Sequence, residues 1–323
     1  MKPMSSPSDD PPLDREQFLY SIVIPVFNSE KIVATTIDQV VAVFTEHGLK
    51  HEVILVNDGS SDGSWEVIAD KARTVPNVVA LNLLRNYGQH HANLAGLREA
   101  TGDYVITMDD DLQNPPDQAL VLIDEAMTGK DVVFGQFERK QAAGYRRLGS
   151  KAITAINKRV FGLPPGLEVS NYRILRRDVV DRISTSRTAH PYVTGQALMY
   201  SSNRSHVRVR HEPRPVGKSN YSTMRIVRLV LTILFSYSSF PLRFGALVGF
   251  GISAVSLLLG LFYLLSGLFG HTQVQGWTTL VVLLAIFNGF TIALLSMLGE
   301  YVVRTLNAVS SSESYHVISR VHG

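Results

Sequence analysis

The chain of 323 residues contains no cysteine, so a disulfide framework and a thiolate metal site are both excluded. A large excess of either charge is also lacking, because 31 basic residues stand against 28 acidic ones and give a formal net charge of +3. That balance is too mild for a nucleic-acid-binding protein. It is compatible with small anionic substrates or with an anionic membrane surface.

The beginning of the chain lacks the basic start and the apolar core of a secretory signal peptide. Residues 1–17 are instead rich in serine, proline and aspartate, and we interpret them as a disordered leader. Apolar residues are distributed unevenly over the rest of the chain and accumulate after Phe240. This pattern indicates a soluble front part and a membrane-embedded back part.

Short apolar runs alternate with segments of helical periodicity in the front part. The predicted strands cover residues 20–27, 52–57, 78–84, 104–108 and 131–134. The predicted helices between them cover residues 32–44, 64–73, 89–100 and 117–127. This alternation predicts an α/β fold with a Rossmann-like, mostly parallel sheet and helices on both faces.

Four of the strands end in polar clusters, which are Asn28, residues 58–60, Arg85 with Asn86, and residues 109–111. Because such sheets bind ligands at the carboxyl ends of their strands, one crevice of the nucleotide-binding type is expected there.

The sequence MDDDLQNPP, residues 108–116, follows one of these strands. Alternate residues of an extended segment face the same way, so the carboxylates of Asp109 and Asp111 can meet one cation while Asp110 points elsewhere. Hard oxygen ligands favour Mg²⁺ or Mn²⁺, which bridge to diphosphate oxygens, and the amide oxygen of Gln113 can complete the set. The competing interpretation is a polar cluster that caps the helix that follows.

Two further polar segments have both a binding and a purely structural interpretation. In VNDGSSDGS, residues 56–64, the carboxylate of Asp58 can accept from a base N–H or from ribose hydroxyls, and Gly59 permits a close turn. The alternative is an Asx turn with a helix cap. His90 and His91 open a predicted helix, where they contact a diphosphate or a sugar, or are simply polar residues of a helix end.

Residues 145–161 predict a basic amphipathic helix, which either lies in the membrane interface or packs as an ordinary surface helix on the sheet. Residues 221–237 are a second candidate for an interface helix. Residues 244–269 and 277–298 contain no charged residue, and each is long enough to span a bilayer, for which about 20 residues suffice. The connection between them has no Lys or Arg, whereas four arginines flank the opposite ends: Arg225, Arg228, Arg243 and Arg304. The positive-inside rule therefore places both termini and the α/β domain in the cytoplasm.

Four motifs occur in a fixed order: VIPVFN (residues 23–28), NDGSSDGS, RNYGQHHA (residues 85–92) and MDDDLQNPP. In this order they resemble the inverting glycosyltransferases of family 2, which have the GT-A fold. Together with the two apolar spans, the chain from about Tyr20 resembles the polyprenyl-phosphate glycosyltransferase group. The resemblance implies transfer of a sugar from a nucleotide-sugar, with UDP favoured over GDP, to undecaprenyl or another polyprenyl phosphate at the cytoplasmic face of the inner membrane. The product would be a lipid-linked sugar donor for cell-envelope glycan or lipid A modification.

The expected organisation follows from the resemblance and the spans. Residues 18–219 form the GT-A domain, with the interface helix at about 145–161, and residues 220–241 form a juxtamembrane amphipathic helix. Residues 242–299 hold the two transmembrane helices, and residues 300–323 form a cytoplasmic tail. Whether this tail ends in a further interface helix stays open.

The resemblance also implies roles for individual residues. The nucleotide side comprises Pro25, Asn28, Asp58, Arg85, Asp109 and Asp110. The divalent cation, Mg²⁺ or Mn²⁺, would be held by Asp109, Asp111 and Gln113. The catalytic residues would be Asp111, Glu168 and Arg173. The acceptor phosphate would be bound by Ser170, Arg173, Arg214, Lys218 and Ser219.

The sequence departs from the family at two positions on the acceptor side. Glu168 stands where aspartate is usual, and Asn220 stands where lysine is usual, with Lys218 two positions earlier as a replacement cation. A phosphate monoester has a second pKa of about 6 and is largely dianionic at neutral pH, so it needs little help from a general base. An acid at residue 168 would mainly orient groups, and arginines would clamp the anionic substrates.

Two other classes of protein compete with this interpretation. A processive polysaccharide synthase would need a Gln-x-x-Arg-Trp segment and more spans, and the sequence has neither. A non-catalytic membrane adaptor that only binds a nucleotide-sugar is opposed by the complete set of Asp109, Asp111 and Gln113. The expected partners are the two substrates and membrane lipids, with no nucleic acid. The sequence does not name the sugar, and it leaves a dimer and a homotetramer both open.

Overall fold

The structure, a computed structural model, describes residues 13–137, 158–186, 188, 191–212, 276–310 and 315–323, and scattered positions between 244 and 265. The chain divides into two compact units. The first unit combines Met1–Ile226 with Glu313–Gly323, and the second is Val227–Ser312. The predicted leader up to residue 12 and most of the predicted helices at 145–161 and 220–241 lie outside the described residues.

The first unit is built on an eight-stranded sheet in the order β7-β5-β6-β4-β1-β2-β3-β8. Its strands are β1 (Leu19–Val26), β2 (Lys50–Asn57), β3 (Val78–Leu83), β4 (Tyr104–Thr107), β5 (Val132–Phe137), β6 (Arg173–Arg176), β7 (Arg204–Val209) and β8 (Val317–His322). Its helices are α1 (Val33–Glu46), α2 (Ser64–Thr74), α3 (Gln89–Glu99), α4 (Gln118–Ala126), α5 (Arg177–Thr185) and α6 (Val193–Tyr200).

The centre of the sheet is parallel, as the alternation of strands and helices predicts. β1 pairs in parallel with β2 on one side and with β4 on the other, and β2 pairs in parallel with β3. Antiparallel pairs join β4 to β6, β6 to β5 and β3 to β8. The carboxyl ends of β1, β2 and β4 therefore lie side by side at one edge, and this confirms the predicted α/β fold with a mostly parallel sheet.

Alternate residues of β1 pack on opposite faces of the sheet. Ile22 and Ile24 are fully buried in a core shared with α1, α2 and α4. Val23 faces the other side, where α3 covers the sheet so closely that a Cβ on Gly96 would lie 2.3 Å from Val23 Cγ1. The burial of both faces explains why β1 appears in the sequence as an almost continuous apolar run.

The structure differs from the sequence-based expectation at the beginning of the first unit. Residues 13–17, expected to belong to a disordered leader, pack on the α/β domain. A 3₁₀ turn, Arg15–Gln17, is capped by Asp14, which accepts from the backbone N–H of Glu16 at 3.1 Å. The backbone N–H of Leu13 donates to the carbonyl of Met127, and Arg15 pairs with Asp124 at 2.9 Å. These contacts fix the approach of the chain to β1.

The end of the chain also differs from the expected cytoplasmic tail. Residues 317–322 are not an interface helix but the strand β8, which extends the sheet beyond β3. Its side chains alternate between partly buried and exposed over the six positions Val317–His322. The sequence VISRVH, however, has no regular alternation of apolar and polar residues, so it gives no clear strand signal.

The second unit contains the long helix α7 (Trp277–Ser310). Within the described residues, no helix combines the length and the apolar character required to cross a bilayer. The two membrane spans stay predictions from the sequence.

Gly96→Ala is expected to destabilise the first unit, although alanine is the better helix former. The new Cβ would lie 2.3 Å from Val23 Cγ1, and overpacking of this kind costs about 1–3 kcal/mol. The change is measured as the free energy of unfolding in urea. Val23→Ala removes the clashing methyl groups, so the double variant should lose less stability than the sum of the two single variants. Additive losses would contradict the close approach of α3 to β1.

Candidate active site

A cavity of about 560 Å³ lies at the carboxyl ends of β1, β2 and β4. Its walls come from three strand ends and from the loop between β3 and α3. They are formed by Pro25, Val26, Phe27, Asp58, Asn86, Gly88, Gln89, Asp109, Asp110 and Asp111. The structure thus brings residues of three of the four polar clusters into one wall, namely Asp58, Asn86 and the three aspartates after β4.

The three consecutive aspartates after β4 carry most of the charge of this cavity. Burial, together with the neighbouring carboxylates of Asp111 and Asp110, raises the pKa of Asp109 to about 7. Asp110 is turned toward the end of β1, where it accepts from the backbone N–H of Phe27 at 3.3 Å. Its own carbonyl accepts from the hydroxyl of the buried Thr36 in α1 at 2.9 Å. The motif is therefore anchored through Asp110, while Asp109 and Asp111 contribute carboxylates to the cavity wall.

Backbone geometry after the aspartates is unusual for a branched residue. Leu112 has φ of 55°, in the left-handed region that favours glycine. Such a conformation is held only where the surroundings enforce it, and it is common at binding sites. Beyond it, the backbone N–H of Gln113 donates to Asp111 Oδ1 at 3.1 Å, and the carbonyl of Gln113 accepts from Glu212 at 2.9 Å. Gln113 is not part of the cavity wall.

Asp58 connects the end of β2 to the loop between β3 and α3. Its Oδ1 accepts from the backbone N–H of Tyr87 at 2.7 Å, and its Oδ2 accepts from that of Gly88 at 2.9 Å. Burial raises the pKa of Asp58 to about 6, although the two amide bonds act in the opposite direction. Gly59, with φ of +64°, lets this turn approach the loop, because a Cβ there would lie 2.4 Å from the backbone of Arg85.

Two residues predicted on the nucleotide side lie beside the cavity instead of in its wall. Asn28 has φ of 53°, and its Oδ1 accepts from the backbone N–H of Ser61 at 2.9 Å, so it joins the loops after β1 and β2. The exposed guanidinium of Arg85 lies 5.1 Å from the centre of the Tyr87 ring. Pro25, by contrast, lines the cavity as expected.

A buried cationic group lies behind Asp109. Arg173, at the start of β6, is fully buried, and its Nη1 donates to Thr194 Oγ1 at 2.7 Å. Among the described residues, its Nε and Nη2 have no hydrogen-bond partner. Burial lowers the pKa of Arg173 to about 10, opposed by Tyr192 and Asp109, so the side chain stays charged at neutral pH. A buried charge with two unused donors is costly unless an anion can reach it.

His90 lies next to this arginine and is neutral. Burial, together with the charge of Arg173, lowers the pKa of His90 to about 3. The His90 ring packs edge-on against Tyr192, with 5.1 Å between ring centres. A neutral imidazole can both donate and accept, which suits contact with a hydroxyl group better than contact with a phosphate.

The remaining residues predicted on the acceptor side are only partly described. Glu168 is half-buried in the segment before β6. The hydroxyl of Ser170 donates to the carbonyl of Tyr172 at 2.8 Å. Arg214, Lys218, Ser219 and Asn220 lie outside the described residues.

Gln89 is a site residue that the sequence analysis missed. Its Nε2 donates to Asp109 Oδ1 at 2.5 Å, and its Oε1 accepts from Asn171 Nδ2 at 3.1 Å. The residue belongs to the motif RNYGQHHA, but the motif does not show that the first turn of α3 faces the end of β4. Gln89 links the donor side of the cavity to the segment that precedes β6.

The donor set fits a divalent cation that takes part of its coordination from a ligand. No group of three or more acidic or histidine side chains in the described part of the chain is arranged to hold a metal ion. Asp109 and Asp111 supply two carboxylates in the cavity wall, and their mutual repulsion is part of what raises the pKa of Asp109. Magnesium-type sites commonly use one or two carboxylates and complete the shell with phosphate oxygens and water.

Comparison with solved structures identifies the fold. The chain is similar to glucosyl-3-phosphoglycerate synthase from Mycobacterium tuberculosis solved with phosphoglyceric acid, with a TM-score of 0.51, 17% identity, and coverage of 74% of this chain and 86% of that chain. The same enzyme solved with Mn²⁺, UDP and phosphoglyceric acid matches with a TM-score of 0.50, 18% identity, and coverage of 68% and 77%. At this identity the likeness establishes the fold, which is that of a GT-A glycosyltransferase.

Sequence comparison identifies the family. The model of glycosyl transferase family 2 matches residues 21–184. The undecaprenyl-phosphate 4-deoxy-4-formamido-L-arabinose transferase of Shewanella sediminis is 34% identical over 304 residues, covering 92% of this chain and 91% of the relative. The protein of the same name from Pseudomonas aeruginosa is 34% identical over 302 residues, covering 93% and 89%. The chain belongs to glycosyltransferase family 2 and is a glycosyltransferase, as its motifs predict.

Asp109→Asn is expected to remove a pH dependence of stability from the cation-free protein. In the unfolded chain this carboxyl has a pKa of about 4, whereas in the folded protein the pKa is about 7. The stabilisation from the protonated carboxyl is therefore complete below about pH 4 and is lost as the pH rises through 7. In EDTA, the unfolding temperature of the wild type should fall over this window, and that of the variant should fall less.

Asp70→Asn, at an exposed position of α2, is the matched control and should keep the wild-type slope. Equal slopes in the wild type and the Asp109 variant would contradict the raised pKa.

Proposed function

We propose that this glycosyltransferase moves a sugar, with inversion, from a nucleotide-sugar to undecaprenyl or another polyprenyl phosphate. The observation that carries the proposal is the acidic cavity at the ends of β2 and β4, where Asp58, Asp109 and Asp111 meet in one wall. Relatives named for transfer to undecaprenyl phosphate, at 34% identity over 92% of the chain, support the acceptor. UDP is the proposed nucleotide.

On the donor side, Asp58 is the residue proposed to contact the base. Its two oxygens accept from Tyr87 and Gly88, and each carboxylate oxygen can accept one further hydrogen bond. Asn86 and Gly88 bring the β3–α3 loop to the same wall. The diphosphate would then lie toward the carboxylates that follow β4, because the base and the diphosphate of one donor molecule must fit in the same cavity.

A diphosphate carries negative charge, so it cannot approach Asp109 and Asp111 without a cation. We propose that Mg²⁺ or Mn²⁺ is held there by the two carboxylates and by Gln113. The cation would neutralise charge on the departing nucleotide diphosphate. The neighbour from Mycobacterium tuberculosis was solved with Mn²⁺ and UDP. Since that protein shares only 18% identity with this chain, the proposal depends on the carboxylates of the chain itself.

On the acceptor side, an oxygen of the lipid phosphate would attack the anomeric carbon. The new bond joins that carbon to the phosphate oxygen, and the bond from the carbon to the nucleotide diphosphate breaks with its electron pair. Arg173 has two unused N–H donors directed at no described partner, and a phosphate dianion can use both. Glu168 and Ser170 would orient this end of the site, and Arg214, Lys218 and Ser219 would add donors from outside the described residues.

The position of the protein at the membrane is proposed from the sequence. The uncharged segments 244–269 and 277–298 would span the inner membrane, and their flanking arginines would keep the catalytic domain and both termini in the cytoplasm. In that arrangement the cavity works at the level where the acceptor phosphate lies. The lipid-linked sugar would serve cell-envelope glycan or lipid A modification.

Asp111→Asn is expected to lower transfer by at least about a hundredfold, because it removes one of the two carboxylates that would hold the cation against the leaving diphosphate. Membrane insertion and unfolding temperature should stay close to those of the wild type. Transfer is measured as radiolabel that moves from the nucleotide-sugar into lipid extractable with organic solvent. Asp70→Asn removes the same charge from the exposed surface of α2 and should keep full activity. Wild-type turnover in the Asp111 variant would refute the cation site.

The donor and the acceptor are tested together with purified protein in detergent, undecaprenyl phosphate and a panel of UDP- and GDP-sugars. One UDP-sugar should yield a glycosyl phosphate lipid of the expected mass, and yield should stop when EDTA is added. A product formed only from GDP-sugars would refute the choice of nucleotide. Binding of a nucleotide-sugar without any product would favour a non-catalytic adaptor.

A further inference from the structure

The segment of residues 315–322, here called the strap, reaches past the end of its partner strand. β8 pairs antiparallel with β3 from Val79 opposite His322 to Leu83 opposite Val317, with an irregularity between Asn82 and Leu83. One residue further, the backbone N–H of Leu84 donates to the carbonyl of His316 at 2.9 Å. The strap therefore holds the chain as it leaves β3 and enters the β3–α3 loop.

That loop, residues 84–88, forms part of the cavity. Asn86 and Gly88 lie in its wall. Tyr87 and Gly88 supply the two backbone N–H groups that bind the carboxylate of Asp58. Loops with exposed backbone are the most mobile parts of most domains. The conformation of the β3–α3 loop therefore depends on how firmly its two ends are held.

The strap also contacts the helix on the other side of the loop. Arg320 pairs with Glu99 at 2.7 Å, and the guanidinium of Arg98 lies 5.4 Å from the centre of the Tyr315 ring. Arg98 and Glu99 belong to the last turn of α3, the helix that follows the loop. The strap thus contacts both β3 and α3, the two elements that the loop connects.

We propose that the strap positions the β3–α3 loop for binding of the nucleotide. This inference depends on the proposed function for the identity of the ligand, but the ordering of the loop is independent of it. A loop that is already held in its binding conformation loses less conformational entropy when the ligand binds. The affinity of the protein for the ligand is higher for that reason. Loss of the strap should weaken nucleotide binding more than it slows turnover at saturating donor.

Two apolar residues on opposite faces of the strap permit a matched test. Val321 packs against the hydrophobic core of the sheet, whereas the side chain of Ile318 is 52% exposed on the opposite face of the same strand. Val321→Asp places a charge against the core and should release the strap, while Ile318→Asp makes the same chemical change toward solvent. Both variants are made in the full chain and purified in detergent.

Two readouts are compared for the two variants. Hydrogen exchange of the amides of Leu84, Tyr87 and Gly88 reports the order of the loop. Titration with UDP reports its binding competence. Val321→Asp should speed exchange at all three amides and weaken UDP binding about tenfold, with a raised KM for the nucleotide-sugar and a nearly unchanged kcat. Ile318→Asp should match the wild type in every measurement.

Two outcomes would refute the positioning role of the strap, and a third would refute UDP as the donor nucleotide. If Val321→Asp speeds exchange only in β3 and the strap, and UDP binds as in the wild type, the strap merely closes the edge of the sheet. If exchange rises equally in β1, the strap acts on global stability and positions nothing. If UDP fails to bind the wild type while exchange behaves as expected, the choice of UDP as the donor nucleotide fails and the positioning role of the strap is retained.

Discussion

The crowding of negative charge at the end of β4 is the constraint on which the rest of the site depends. Asp109, Asp110 and Asp111 follow one another at the edge of a buried sheet, and Asp58 lies in the same wall. Burial and repulsion raise the pKa of Asp109 to about 7, so in the absence of a cation this carboxyl holds a proton at mildly acidic pH. Under the proposed function a cation would relieve the repulsion, and a diphosphate would then balance the cation. Binding of the two would be coupled for this reason, because neither the acidic wall nor the diphosphate tolerates the other alone.

The positive charge behind the cavity follows a different logic. Arg173 is fully buried, and it lies close enough to Asp109 for the charge of that carboxylate to raise its pKa. Within the described part of the chain, its hydrogen-bond partner is Thr194, and two of its nitrogens have none. His90 beside it is neutral, so Arg173 is not opposed by a second cation from that ring. A buried guanidinium with unused donors is destabilising in the isolated protein. The donors would offset this cost when they bind an anionic substrate, which is the role proposed for Arg173 toward the acceptor phosphate.

The success of the sequence-based prediction varied with the physical origin of each feature. β1, β2 and β4 are apolar runs buried on both faces, and their periodicity and flanking turns suffice to locate them. β6 has charged ends, Arg173–Arg176, and β8 is a short segment at the sheet edge whose sequence does not alternate regularly, so neither gives a strong pattern. The acidic cluster was located because it immediately follows a strand. The role of Gln89 was not, because its contact with Asp109 depends on how α3 packs over the sheet.

The same distinction explains why motifs that define the family do not define the sugar. The family motifs contribute carboxylates and the turn around Gly88 to the cavity wall, and these groups would suit any nucleotide diphosphate. In the proposed complex the sugar is attached beyond the diphosphate, so its hydroxyl groups would meet side chains near Asp109 that are not carboxylates. Gln89 donates to Asp109 and accepts from Asn171, and His90 lies close to Arg173. Amides and a neutral imidazole both donate and accept, as recognition of hydroxyl groups requires, so under the proposed function these three residues would decide the choice of sugar more than the acidic motif does.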